Sequence, residues 1–303
     1  GIFPLGGPAG SSTTVEIKGW NLPTRQVVVD NKSREPGVYP VFVSKDDWIS
    51  NLAPFAVDDL PECLEKEPDS QHRTAQAVTL PTIVNGSIDH PDDRDFFKFE
   101  GKAGDEIIAE VYARRLNSPL DAKLVLSDSD GKQLTCNDDC EDRSSGLESH
   151  HADSLLKATL PTNGTYYVEV VDTQHQGGPE YAYRLHINPP RPDFALRVVP
   201  SSINLRAGGT IPVTFYALRQ DGFTNSIAVS LKDAPQGFKL SGATIRATQE
   251  QVRVTLTAPP IGQKEPLRLN FEGRATINGK VVTHAAVPAE DMMQAFAYRH
   301  LVP

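Results

Sequence analysis

Between two strand-like stretches the chain reads SDSDGKQLTCNDDCED, from Ser127 to Asp142, and gathers hard oxygen ligands into one turn-and-return. Asp128, Asp130, Asn137, Asp138, Asp139, Glu141 and Asp142 all fall within it. Such carboxylates repel one another unless water or a cation neutralises them. Calcium takes about six to eight oxygens from carboxylates, amides, backbone carbonyls and water. Asn137, Asp138 and Asp139 supply that chemistry in consecutive residues, and Asp121 and Asp153, each opening a neighbouring strand pattern, could reach in from the sides. The same residue types also form turns and cap strand ends without any metal, and the sequence leaves both roles open. DSDGK lacks the continuation of a helix–loop–helix calcium loop and reads as a turn.

Two cysteines bracket the acidic triplet. Cys136 and Cys140 are close enough for a hairpin to join them in a small disulfide loop, given an oxidising compartment. Zinc is the alternative, with His150 and His151 nearby, but no second Cys/His pair has the required spacing. Cys63 is left as a lone thiol.

Catalytic signatures are missing. The chain has neither HExxH nor G-x-S-x-G. His150, His151, Asp153 and Ser154 are too close in sequence to build a triad, because adjacent residues of a strand face opposite ways. Paired acids for glycoside hydrolysis lack the aromatic platforms of a sugar cleft, since most aromatics fall at inward strand positions. The expectation is a chain that is not an enzyme.

The elements that must position these residues are strands. The 303 residues include 24 prolines and 22 glycines spread as punctuation, and period-two alternation recurs between turn signals. In DEIIAEVYARR, Ile107, Ala109, Val111 and Ala113 share a face; in YRLHINP, Tyr183, Leu185 and Ile187 point inward with Arg184, His186 and Asn188 opposite. Net charge is −9 with a pI near 5.4, which excludes the basic face of a nucleic-acid binder. No apolar run approaches the roughly 20 residues of a membrane-spanning helix, so no membrane insertion is expected. No leader is visible, and the chain opening at Gly1 and ending at Pro303 is expected to be a fragment of something longer.

Four segments follow: 1–59, 60–79, 80–190 and 191–303. The first, with V-E-I-K-G-W-N-L after a Gly-rich entry, loosely resembles IPT/TIG domains, which are small immunoglobulin-like modules. Trp20 and Trp48 are expected in its core rather than as exposed sugar-stacking platforms. Residues 60–79 are polar and charged, a linker or a long loop lying along the next domain. Residues 80–190 carry NGSIDHPDDRDFFKFEGKAGDEI, LVLSDSDGKQLTCNDD, DSLLKATLPTNGTYYVEVVD and YAYRLHI. In order and spacing these resemble the bacterial pre-peptidase C-terminal domain, with Asp93, Asp95 and Phe97 at its D-x-D-x-F element and the cysteines as an addition. Residues 191–303 show seven alternating strands, as in an immunoglobulin-like sandwich without a cysteine pair.

The expected fold class is all-β: tandem β-sandwiches, a jelly-roll-like centre flanked by immunoglobulin-like modules. The resemblance implies calcium bound through acidic loops, which carries over to Asn137, Asp138 and Asp139 and, less directly, to Asp93 and Asp95. Charging a strand edge against pairing is the alternative role for those last two. It also implies a non-catalytic accessory or spacer region of a larger secreted or cell-surface bacterial protein, such as a peptidase. Expected partners are the rest of the parent polypeptide and an extracellular protein or polysaccharide, with no nucleic acid. A carbohydrate- or protein-binding module of a degradative enzyme is the alternative.

Overall fold

The computed structural model describes residues 1–140, 152–262, 265–294 and 298–302. They form strands and one 3₁₀ turn, Arg114–Leu116, so the architecture is all-β. The described residues divide into two compact units, 1–140 with 152–189 and those from Pro190 onward.

In the first unit a sandwich is made of two five-stranded sheets. One has the order Gln76–Ala77, Arg94–Gly101, Gly164–Asp172, Ala122–Asp128, Gln133–Asn137. The other runs Leu155–Thr159, Glu106–Tyr112, Ala182–Asn188, Thr82–Ser87, Glu62–Leu64. The alternation seen in sequence is the reason: Ile107, Ala109, Val111, Leu124, Leu126, Val168, Val170, Leu185 and Ile187 are buried between the sheets. Period two sends every second side chain into that layer.

Residues 60–79 do not simply span a gap. Glu62–Leu64 pairs in parallel with Thr82–Ser87, and Gln76–Ala77 in parallel with Arg94–Gly101, so the stretch adds an edge strand to each sheet. The polar composition that suggests a linker reflects half-exposed edge positions.

The outward face of Ala182–Asn188 is covered as well. Residues 1–58 form two three-stranded sheets, Ile2–Phe3 with Ser12–Ile17 and Gln26–Asp30, and Gly6–Pro8 with Ala53–Asp58 and Gly37–Val41. Their core of Val15, Val29, Val41, Phe55 and Val57 takes in Leu116 and Ala182 from the sandwich. Arg184, which alternation places on the outside, is fully buried there. Trp20 and Trp48 are not core residues: Trp20 is 94% exposed and Trp48 39%. Trp20 lies next to Asn21 and Trp48 two residues after Asp46, both turn residues in the left-handed region.

The second unit is one continuous eight-stranded array folded around Phe194, Leu196, Val213, Phe215, Ile227, Val254 and Leu256. Lys280–Pro288 joins its two halves, pairing with Asn270–Ile277 along its first part and with Asp193–Val199 at Ala286–Pro288. Leu267, expected inward on a strand, is 42% exposed, because that strand begins only at Asn270. The last described residues pair as a hairpin, Glu290–Gln294 with Tyr298–Val302.

Candidate metal centre

Among the described residues, the acids of the hairpin do not fall in the carboxylate clusters that could hold a metal ion. Asn137 closes the Gln133–Asn137 strand and is spent locally: Leu155 N donates to its Oδ1 at 3.0 Å and its Nδ2 donates to Asp139 O at 2.7 Å. Asp138 and Asp139 are exposed. Asp121 Oδ2 accepts from Gln174 Nε2 at 3.1 Å. Asp153 is buried and anchors the turn at Arg114–Leu116. Its carboxylate accepts from the amides of Ala113, Arg114 and Arg115 at 3.0, 2.7 and 3.1 Å and from Arg115 Nε at 2.7 Å. Both oxygens of Asp153 thus accept hydrogen bonds from the protein. Glu141, Asp142, His150 and His151 lie outside the described residues, and the zinc alternative with them. No disulfide joins Cys136 and Cys140, which are thiols in the structure. Cys136 is still held in the strand, opposite Val125, so its direction is set by register rather than by the turn.

The carboxylates that do converge are Glu65, Glu67, Asp69, Asp93 and Asp95. Glu65, Asp69 and Asp95 form one triad and Glu67, Asp93 and Asp95 another, each with ligand oxygens within 4.8 Å of one another. Opposed oxygens around one calcium ion lie about 4.6–5.2 Å apart, twice the usual bond length. The elements explain the convergence. Glu65, Glu67 and Asp69 follow the Glu62–Leu64 edge strand, and Asp93 and Asp95 open the Arg94–Gly101 strand of the opposite sheet. The centre therefore closes one end of the sandwich, with ligands from both layers.

Several oxygens are already held. Asp93 accepts from Arg94 N at 3.0 Å and Asp89 N at 2.9 Å. Ser87 N donates to Glu65 Oε2 at 2.9 Å. Tyr183 Oη lies 2.7 Å from Glu65 Oε1 and 2.6 Å from Asp95 Oδ2, but its single hydrogen cannot serve both acceptors. Three buried oxygens have no donor at all: Asp69 Oδ1, Asp69 Oδ2 and Asp95 Oδ1. Buried acceptors of that kind are rare unless something absent from the protein chain meets them.

Electrostatics say the same. Burial, and then the charges of Glu65, Glu67 and Asp93, push the Asp69 carboxyl up to about 8. Burial pushes Asp95 well above the carboxylate range, reinforced by the Glu65 charge, and raises Glu65 too. Tyr183 is raised strongly by its own burial and by the two acids. These groups resist ionising together unless positive charge arrives. The donor set is all oxygen and mostly carboxylate, partly pre-oriented by backbone amides, and suits a hard divalent cation.

Asp93 and Asp95 were legible in the sequence as secondary candidates, whereas Glu65, Glu67 and Asp69 were not singled out. A signal was there: acids at every second position, in Glu65-x-Glu67-x-Asp69 and again in Asp93-x-Asp95, place like charges on one side of an extended chain.

Residues 93–172 match the family model described as the bacterial pre-peptidase C-terminal domain. A probable subtilase-type serine protease of Deinococcus radiodurans is 46% identical over 81 residues, covering 26% of this chain and 10% of that protein. The chain thus spans about a tenth of that relative's length. The solved pre-peptidase C-terminal domain of a collagenase from Bacillus anthracis is matched over 41% of this chain and 100% of that one, at 17% identity and a TM-score of 0.29. A superposition that loose transfers no geometry. The family match, by contrast, begins at Asp93, spans the central strands from Arg94–Gly101 to Gly164–Asp172, and follows the order of motifs in the sequence. Residues 93–172 are a bacterial pre-peptidase C-terminal domain.

Proposed function

We propose that this chain is a non-catalytic accessory region of a larger extracytoplasmic bacterial peptidase, and that a structural calcium centre at Glu65, Glu67, Asp69, Asp93 and Asp95 fastens the end of its sandwich. The observation that carries the calcium reading is the three buried carboxylate oxygens without a donor, both of Asp69 and Oδ1 of Asp95, inside two overlapping acidic triads. When bound, the ion supplies positive charge and coordination, not a reaction. Asp95 belongs to both triads, so one ion would bridge the sheets through it and a second would share it. Because only the folded chain assembles these ligands, binding stabilises it by mass action, about 2.7 kcal/mol at a hundredfold excess over Kd. The domain match and the resemblance to a segment of a subtilase-type protease support the accessory role. They also support an extracytoplasmic setting, where millimolar-range calcium sites can fill. Among the described residues no helix is long and apolar enough to cross a membrane.

Thermal melting with excess EDTA and with calcium, beside a casein-cleavage assay, tests both halves. The expected result is a higher Tm with calcium and no proteolysis in either condition. Identical melts would remove the calcium centre, and calcium-dependent cleavage would remove the accessory role.

Trp20 favours a second role, binding of an extracellular protein or polysaccharide. It is 94% exposed on the loop after Ser12–Ile17, and Phe42, Trp48, Ile49 and Leu52 are exposed in the connection between Gly37–Val41 and Ala53–Asp58, where Ser44–Lys45 pairs with Trp48–Ile49 as a short hairpin. Pairing of Ile2 with Ile17 and Gly6 with Ala56 places both loops at the Gly1 end of the module. Exposed apolar groups in such number mark interaction surfaces. Retention on insoluble chitin or cellulose that is lost in Trp20→Ala would establish the polysaccharide version; equal retention of both proteins would dismiss it.

A further inference from the structure

The N-terminal module and the carboxylate centre meet through one side chain. Arg184 is fully buried on the outward face of the Ala182–Asn188 strand. Its Nη1 donates to Asn85 Oδ1 at 2.8 Å and to Glu62 Oε2 at 3.1 Å, and its Nη2 donates to Glu62 Oε1 at 2.7 Å. Asn85 Nδ2 completes the set with a 3.0 Å bond to Glu62 Oε2. Glu62 opens the three-residue edge strand, and Glu65 N bonds Asn85 O at 3.0 Å directly after it. The pairing that presents Glu62 to Arg184 is therefore the pairing that delivers Glu65, Glu67 and Asp69 to the centre.

From the other side, the module lies directly on the guanidinium. A Cβ placed on Gly6 would overlap Arg184 Nη1 and Cζ and the carbonyl of Ala56. Leu116 and Ala182 enter the module's core, and Asp58 lies 3.8 Å from His186 on the same strand as Arg184.

We propose that Arg184 latches the N-terminal module to the ligand-bearing strand, so that cation occupancy and seating of the module favour each other. This rests on the calcium reading above. Without a cation the five carboxylates repel, and the short edge strand is what must give way. Its withdrawal takes Glu62 from Arg184 and leaves a buried guanidinium with Asn85 alone, an arrangement that opens the interface to water. In the other direction, a seated module keeps water from the Arg184–Glu62 pair, strengthens it, and holds the strand in the register that assembles the ligands. Coupling of this kind is reciprocal, so a change on the module side must appear in the affinity for the ion. Arg184 is a positioning residue here, since it touches no ligand oxygen of the centre.

The test uses the full chain with calcium chloride as titrant. Calorimetric titration of the parent, Gly6→Ala and Arg184→Met is paired with hydrogen exchange of residues 1–58 in calcium and in EDTA. Gly6→Ala presses a methyl group against Arg184 and the Ala56 carbonyl from the module side, and Arg184→Met keeps most of the buried bulk, so neither removes a carboxylate of the centre. The latch predicts calcium affinity at least about fivefold weaker in both variants, and faster exchange in Ser12–Ile17 of the parent after chelation. A merely structural role for Arg184 would lower Tm and leave the calcium affinity unchanged. Parent-like affinity in both variants, with exchange in 1–58 indifferent to chelation, overturns the latch and leaves the calcium centre standing. A parent chain that takes up no calcium overturns both.

Discussion

Asp69 makes stability depend on pH with a sign that calcium should reverse. Its carboxyl is raised to about 8 in the folded chain without metal, against about 3.9 in an unfolded one. The folded state therefore holds the proton more tightly than the unfolded state. The associated stability is complete below about pH 4 and is lost as pH climbs toward about 8. Between about pH 4 and pH 7 the loss approaches three units at about 1.4 kcal/mol each, a ceiling of about 4 kcal/mol. Relaxation and water entering the end of the sandwich halve that, leaving about 2 kcal/mol. For a unit of this size each kcal/mol moves Tm by about 2–4 °C, so the metal-free chain should melt about 4–8 °C lower at pH 7 than at pH 4. Glu65 and Asp95 are raised in the same direction and add to the trend. Calcium binds the ionised ligands, so in millimolar calcium the slope should flatten or turn upward. Scanning calorimetry across this range, in EDTA and in calcium, reads both slopes. A metal-free Tm that rises with pH through this window, as acid unfolding ordinarily gives, would refute the placement of Asp69.

Further outcomes separate the centre from the hairpin. Asp69→Asn replaces a carboxyl that must take up a proton to fold near neutral pH and should raise the Tm of the EDTA-treated chain at pH 7 while weakening calcium binding at least about tenfold, the equivalent of about 1.4 kcal/mol or more, as read by calorimetric titration. Asp153→Ala removes the acceptor shared by three backbone amides and Arg115 Nε and should lower stability by about 2–3 kcal/mol in chemical denaturation, with calcium affinity unchanged if the chain still folds. Asp138→Asn with Asp139→Asn, both exposed, should leave Tm and calcium affinity within error of the parent. Cys136→Ser should likewise leave the melt unaltered, with or without reductant, because no disulfide joins that thiol to Cys140.

The strands and their inward faces were legible because period two is a local property: Ile107, Val111, Leu124, Val168 and Leu185 needed only their neighbours to be placed. The outer face of Ala182–Asn188 was not, since Arg184 looks solvent-directed until a second module is set upon it. The cluster of buried acids was hidden for a related reason. Clustering along the sequence drew attention to Asn137–Asp139, whose polar atoms serve a turn and the following strand. Clustering in space joined Glu65–Asp69 to Asp93 and Asp95 across two sheets, from a stretch whose polarity resembles a linker. Trp20 shows the limit of residue type alone, as nothing local says that Asn21 turns it outward.

The most direct test is anomalous diffraction from crystals of the chain grown with calcium chloride. The account predicts a peak within bonding distance of Asp95 together with Glu65 and Asp69, or with Glu67 and Asp93. A peak at Asn137–Asp139, or none anywhere at saturating calcium, would contradict it.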